Sequence, residues 1–426
     1  MKYKYQIFKQ NIKKYINYLA VIFAFGLGLA KFLVPISGAL IVLLWIIEGD
    51  FKRKFRIIIA HKSLLVFFIF IFYLFLTLYI SADINYYDMS RHFWAGKHET
   101  PLIWYIKHYV FYSFILMALV TSLEKEFVKY VFYGFILGMT VNVFISFLMF
   151  FKFLPLLHGS YNLYTPLFIN HSYYSAFLCI SIFILLIMIH NKMINNWLGM
   201  FIIAVFTFNL FINNGRIGQL AFFIEAIIAS IYLMKINLKK FISVALILIT
   251  VLGITIISNK NLIDNFKRSM RSVNLIKQDY FRTPIGERIA LDIVGIKIFK
   301  QYPVFGVGID EAMNAKNYYV VHKEKKFYFL KKYLHFHNNY IQYLVEGGII
   351  GLGLFILFFI FIFFEKSYEL GKDIKYLVMP IFIVFCFTEV PFLRERSFAL
   401  FVLFYSILLL YSSSGRETSN IDRDSV

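Results

Sequence analysis

The chain has little cysteine and little acid. Of its 426 residues only Cys179 and Cys386 are cysteines, and both sit in apolar runs. That excludes a disulfide framework and a thiolate metal site, and leaves two small core residues. Aspartate and glutamate number 24 against 44 lysines and arginines, a net charge of +20. Such an excess suggests nucleic acid as a partner. Its distribution argues otherwise, because the lysines cluster in short breaks between apolar runs, as in the inner loops of a membrane protein. The basic N-terminus is not followed by a leader cleavage pattern, so the first apolar run reads as a retained span. Low-complexity tracts are lacking. So is a His-Glu-x-x-His metal motif. Gly306-Val307-Gly308 lacks the third glycine and the strand-turn-helix setting of a dinucleotide site. Neither metal nor cofactor is expected.

What the chain does have is apolar sequence: 60% of it is hydrophobic and 20% aromatic. Runs of about 15 to 25 apolar residues match a hydrocarbon core about 30 Å thick. They are continuous rather than alternating, so the spans are helices and not barrel strands. The expected fold is therefore an all-α polytopic bundle of about twelve transmembrane helices. Their centres lie near Phe23, Leu40, Ile71, Leu116, Val141, Phe183, Ala204, Ile224, Leu246, Phe355, Ile383 and Leu403.

An even count places both termini in the cytoplasm. The lysines of Met1–Lys14 and the basic run Lys52, Arg53, Lys54, Arg56 and Lys62 then fall inside, as the charge bias requires. The outer breaks carry Arg91, Lys97, Arg394 and Arg396, which weaken that bias without reversing it. The chain divides into an N-terminal bundle over 1–258 (about nine helices), an outer loop over 259–338, C-terminal spans over 339–412 and a polar cytoplasmic tail over 413–426. Long loops cross the membrane largely regardless of charge, so the lysines of the outer loop do not contradict this placement. A loop of that length calls for structure of its own. The spacing predicts a helix over Arg288–Lys300, with Arg288 and Asp292 one turn apart, and a turn at Pro303–Gly308.

Several residues at loop–span junctions can carry chemistry. His335-Phe336-His337-Asn338-Asn339-Tyr340 precedes Glu346-Gly347-Gly348-Ile349-Ile350-Gly351 at the lip of a span. Imidazole titrates near neutrality, so His337 can pass a proton there; alternatively it caps the following helix with Asn338. The pair His335 and His337 invites a metal, but no carboxylate stands at helical ligand spacing. Arg216, in Asn213-Asn214-Gly215-Arg216-Ile217-Gly218-Gln219, opens a span and shares a helical face with Gln219. It is either a snorkelling arginine or part of an anion site. Arg288 either pairs with Asp292 or Glu287, or makes a second phosphate contact, for which a planar guanidinium is suited. His171 opens a span on the same outer side and either lines the cavity or packs. Glu389, at the outer end of the eleventh span, is expected to pair with Arg394 or Arg396.

These residues, in this order, resemble the O-antigen ligase and polymerase superfamily of bacterial envelope enzymes. Gly215-Arg216-Ile217-Gly218-Gln219 looks like its outer-face arginine motif. Gly286-Glu287-Arg288 with Tyr302–Gly308 looks like its loop arginine and Pro-x-x-Gly-x-Gly turn. His337-Asn338-Asn339-Tyr340 with Glu346–Gly351 looks like its His-Asn helix signature. The likeness runs from about Asn213 to Gly353. It implies a GT-C-like glycosyltransferase of the inner membrane with its active site facing the periplasm. The donor would be a glycan on undecaprenyl diphosphate and the acceptor lipid A-core, amid membrane lipids, without metal, nucleotide or nucleic acid. His337 would be the catalytic base, Arg216 and Arg288 would bind the diphosphate, and Gln219, Asn338, His335 and His171 would support them. Ligation is the expected activity. Repeat-unit polymerisation is the alternative. Polysaccharide transport is a second one, disfavoured because the charges gather at the rim and not at mid-span. The oligomeric state is not legible.

Overall fold

In the computed structural model the chain is all-helical. The described residues are 2–79, 101–156, 164–166, 171–213, 215–234, 242, 246, 253, 260–309 and 311–412. The first part forms α1 (Lys2–Gly28), α2 (Leu33–Glu48), α3 (Phe51–Ala60), α4 (Lys62–Thr77), α5 (Leu102–Ser122) and α6 (Lys125–Phe150). It continues through α7 (His171–His190), α8 (Asn196–Ile212) and α9 (Arg216–Met234). The polar interruption carries α10 (Lys260–Ile276), α11 (Pro284–Phe299) and α12 (Ala312–Tyr318). The chain then runs through α13 (Asn339–Phe364), α14 (Glu369–Leu377), α15 (Met379–Thr388) and α16 (Glu395–Leu410).

Eleven of the twelve expected span centres fall inside these helices. The stretch around Leu246 is described only at residues 242, 246 and 253. The count of about twelve spans is nevertheless not met. Among the described residues, five helices are long and apolar enough to cross a membrane, in α5, α6, α7, α9 and α13. A sixth results if α2 and α3, bent by 117° to each other, count as one broken span. The reason is length, since a span needs roughly 20 residues. α4 and α8 are apolar but have 16 and 17 residues, α16 has 16, and α15 has 10. α1 is long enough, but lysines fill its first half. Apolarity marked the helices correctly and did not reveal where each one breaks.

α7 is buried almost all round and forms the centre of the bundle. α9 packs against it and α13 packs against α4, each with one side turned outward. Large apolar side chains such as Phe72, Phe144, Ile227 and Phe364 are exposed on outer faces. Exposed apolar surface of this extent, on helices of membrane-crossing length, is that of a multi-pass membrane protein.

The interruption builds a second, smaller core from residues including Phe281, Leu291, Val294, Met313, Phe327 and Phe336. Thr283 starts α11 by accepting from Gly286 N at 3.1 Å, with Pro284 in the first turn. α11 therefore begins a turn earlier than the apolar spacing predicts. It lies directly on α13: a side chain at Gly295 would come within 2.3 Å of Ile341.

The expected turn at Pro303–Gly308 is present, and it docks into a break in α13. Gly348 has φ 62° and ψ −158°, which interrupts the helical ladder. The turn takes up the freed backbone groups. Ile349 N donates to Pro303 O, Val307 N to Val345 O and Gly308 N to Glu346 O, each at 2.9 Å. At Gly348 a Cβ would lie 2.2 Å from Val304 O, and at Gly306 a Cβ would lie 2.5 Å from Val345 O. Two separate glycine motifs are thus the two halves of one joint. The joint anchors the interruption to the helix that carries His337 at its start.

Candidate active site

The N-terminal ends of α9, α13 and α16 and the C-terminal end of α15 meet α11 at one end of the bundle. His337 and Arg288 are brought together there by a residue not expected to join them. Glu389, buried beyond the last turn of α15, places Oε1 3.0 Å from Arg288 Nη2 and Oε2 3.0 Å from His337 Nδ1. The expected pairing of Glu389 with Arg394 or Arg396 is not what the fold makes. Arg394 turns its Nη2 to His335 Nε2 at 2.9 Å, and Arg396 donates from Nε to Leu27 O at 2.8 Å. Arg288 also does not take Glu287 as its ion-pair partner. Glu287 is engaged by Lys332 at 2.8 Å and by the Tyr333 hydroxyl. Nor does Arg288 form an ion pair with Asp292 among the described residues.

His337 is held in an unusual backbone state, with φ 53°. That region costs a non-glycine residue roughly 1–3 kcal/mol and persists where surrounding structure imposes it. Its N–H donates to His335 Nδ1 at 3.2 Å, and Tyr333 meets its ring edge-on. With Nδ1 on Glu389, Nε2 has no partner among the described residues. His337 does not cap α13. Asn338 does, its Oδ1 accepting from Tyr340 N at 3.0 Å and Ile341 N at 3.3 Å, while its Nδ2 donates to Asp292 Oδ1 at 3.3 Å.

His335 lies against His337 with 4.0 Å between ring centroids. Burial holds its imidazole well below the usual range, reinforced by the charges of His337, Arg394, Lys316 and Arg288. Burial also pushes the Asp292 carboxyl up to about 7, against the opposing pulls of Asn338 and Arg288.

Arg216 is half-buried at the start of α9 and forms no ion pair among the described residues. The charges it feels are those of Arg268, on α10, and Arg288. Arg216, Arg268 and Arg288 thus lie within electrostatic range of one another, with Glu389 and Asp292 beside Arg288, and together offer positive charge to an anion. The N-terminal dipoles of α9 and α13 add to it. Gly218 lets α9 approach α7, since a Cβ there would lie 2.1 Å from Ser175 O. Gln219 is engaged with the neighbouring hairpin. Its amide donates to Asn213 O at 2.9 Å and Leu210 O at 3.2 Å, tying the α8–α9 hairpin. His171 begins α7, and its side chain lies outside the described residues.

Ligand atoms of His335, His337 and Glu389 lie within 4.8 Å of one another, a spacing a metal ion can use. Sequence spacing did not show this trio, because Glu389 comes from another helix. The donors are already engaged with each other and with Arg288 and Arg394. Two permanent guanidinium charges oppose a cation there, so the site is better suited to an anion. The rim is not the only place with charge. Glu225 in α9 and Glu346 in α13 are buried carboxylates within the helices. Glu346 accepts from Gln342 Nε2 at 2.6 Å beside the α13 break, whereas Glu225 has no hydrogen-bond partner among the described residues.

The site thus consists of an imidazole fixed by a carboxylate beside a cluster of arginines, at the end of a membrane bundle. Such an arrangement can take up a proton and attract an anion. Residues 199–356 match the family model described as O-Antigen ligase. The match contains Arg216, Arg268, Arg288 and His337 but not Glu389. No curated protein matches the chain.

Proposed function

We propose that the protein is an O-antigen ligase. It transfers a glycan from undecaprenyl diphosphate to a hydroxyl of lipid A-core at the periplasmic face of the inner membrane. The observation that carries this reading is the junction of His337, Glu389 and Arg288, with Arg216 and Arg268 beside it.

In this mechanism the acceptor hydroxyl attacks the anomeric carbon directly, and the bond from that carbon to the diphosphate oxygen breaks with inversion. His337 Nε2 takes the hydroxyl proton, a role worth about 10²–10⁴ in rate. The electron pair of the broken bond remains on undecaprenyl diphosphate, where Arg216 and Arg288 stabilise the charge. Preorganised donors of this kind contribute about 10²–10³ each. Arg268, which sequence reading did not single out among the basic residues of the loop, extends the same surface. With the leaving charge met by guanidiniums, the chemistry proceeds without a metal, a nucleotide or another cofactor.

The experiment is the lipopolysaccharide band pattern of a deletion strain, complemented by wild type and by His337→Ala. Loss of glycan-capped lipid A-core with accumulation of long undecaprenyl-linked glycan supports the ligase, and only wild type should reverse it. Core capped by a single repeat unit would instead identify a repeat-unit polymerase, an activity for which the same domain and chemistry serve. An unchanged pattern would refute both.

A further inference from the structure

We propose that Glu389 is the positioning residue of this site, and that its carboxylate sets the tautomer of His337. The inference rests on the transferase reading above and goes beyond it by assigning the group that makes His337 a base. The carboxylate is 3% exposed and is met by donors on both oxygens, Arg288 at Oε1 and His337 at Oε2, each at 3.0 Å. A guanidinium only donates. An ionised carboxylate only accepts, so the proton between Glu389 and His337 resides on Nδ1. The lone pair then lies on Nε2, the ring nitrogen without a partner among the described residues. When Nε2 takes the proton of the acceptor hydroxyl, the resulting imidazolium is already paired with Glu389. The proton passes to solvent once the product leaves.

Both carboxylate oxygens are needed, which makes the inference specific. In Glu389→Gln the side chain offers one acceptor oxygen and one amino group. Arg288 carries a permanent charge and takes the oxygen. The amino group then faces His337 Nδ1, which must accept, and the ring proton moves to Nε2. The base is disarmed while shape and packing are nearly unchanged. Glu389→Asp keeps two acceptor oxygens on a shorter stem and should recover part of the function. No cue near His337 in the sequence points to this pairing, since Glu389 is 52 residues further along the chain. It is, however, a lone carboxylate closing the apolar run of α15, a position where ionisable residues are costly and usually have a task.

The test uses the full chain in nanodiscs, with a polyprenyl-diphosphate-linked oligosaccharide as donor and purified lipid A-core as acceptor. Release of polyprenyl diphosphate is the rate readout, and nitrogen NMR of ¹⁵N-histidine protein reports the tautomer. The His337 signals are identified by their loss in His337→Gln. We expect the proton on Nδ1 in wild type and on Nε2 in Glu389→Gln. We also expect kcat to fall by about 10²-fold in Glu389→Gln, with KM for the acceptor within about twofold, and to recover in part in Glu389→Asp. Normal kcat in Glu389→Gln alongside an inactive His337→Ala would overturn the positioning role and leave the transferase reading intact. Normal rates in both would overturn the transferase reading itself. A wild-type ring protonated on Nε2 refutes the inference whatever the rates, even if Glu389→Gln fails to fold. Transfer abolished by chelation and restored by zinc would also overturn it, because Glu389 would then be a metal ligand.

Discussion

His337 combines a strained backbone with an open ring nitrogen, and the combination separates function from stability. At φ 53° a glycine would relieve a cost of roughly 1–3 kcal/mol. His337→Gly should therefore unfold within about 1 kcal/mol of wild type, or later, while losing transfer by about 10²–10⁴-fold. Thermal unfolding in detergent together with a transfer assay checks this, and a large stability loss would mark the residue as structural. The arginines are argued by geometry. Arg216→Lys and Arg288→Lys keep charge but lose the planar fork, and each should reduce transfer at least tenfold in the same assay.

Asp292 gives a pH prediction. Its carboxyl titrates at about 7 in the folded protein against 3.8 unperturbed. Between about pH 4 and 7 the folded state therefore holds the extra proton, and stability falls as pH rises through that window. Asp292→Asn removes this contribution while keeping an acceptor for Asn338. Wild type should lose unfolding temperature between pH 5 and 8 relative to Asp292→Asn. Equal slopes would show that Asp292 is not held protonated. The arginines and the histidine were legible in the sequence because they sit in compact local motifs. The partners of Glu389 were not, because they lie on distant elements, and Arg268 was not, because it is one basic residue among many in the loop.

At the scale of elements, the decisive unit is the turn Pro303–Gly308 seated in the break of α13. The sequence showed both glycine motifs, and the turn was expected where it is found. That the two motifs complete each other could not be read, because backbone hydrogen bonding across a break leaves no periodic signal. The span count failed for a related reason. Hydrophobic runs located eleven helices, yet helices of 10, 16 and 17 residues read the same as full spans when the chain is seen only as apolarity. The joint gives its own prediction. In Gly348→Ala the new methyl group would lie 2.2 Å from Val304 O at a φ of 62°. Left-handed backbone alone costs an L-residue about 1–2 kcal/mol, and the clash adds to it. The variant should unfold at least several degrees earlier and detach the interruption from α13, seen as faster proteolysis within residues 300–310. Gly353→Ala on the same helix meets nothing within 4 Å and should behave as wild type.

At the scale of the whole molecule, the proposed reaction requires that the site end of the bundle face the periplasm. Positive charge predicted this orientation from short loops, although the longest loop is itself basic. The fold supplies a clean way to check it. Both native cysteines are fully buried, so the wild-type chain should be silent to a thiol reagent that does not cross the membrane. Lys331, exposed in the interruption, and Lys372, exposed on α14, lie at opposite ends of α13. Lys331→Cys should be labelled in intact cells, and Lys372→Cys only after the membrane is opened. The reverse pattern would put the arginine cluster in the cytoplasm, away from any lipid-linked glycan already moved to the outer leaflet. The ligase proposal would then fail on topology alone, however well its residues are placed for the chemistry. The same result would leave the His337–Glu389 pairing untouched, since that pairing depends on how α13 and α15 meet and not on which side they face.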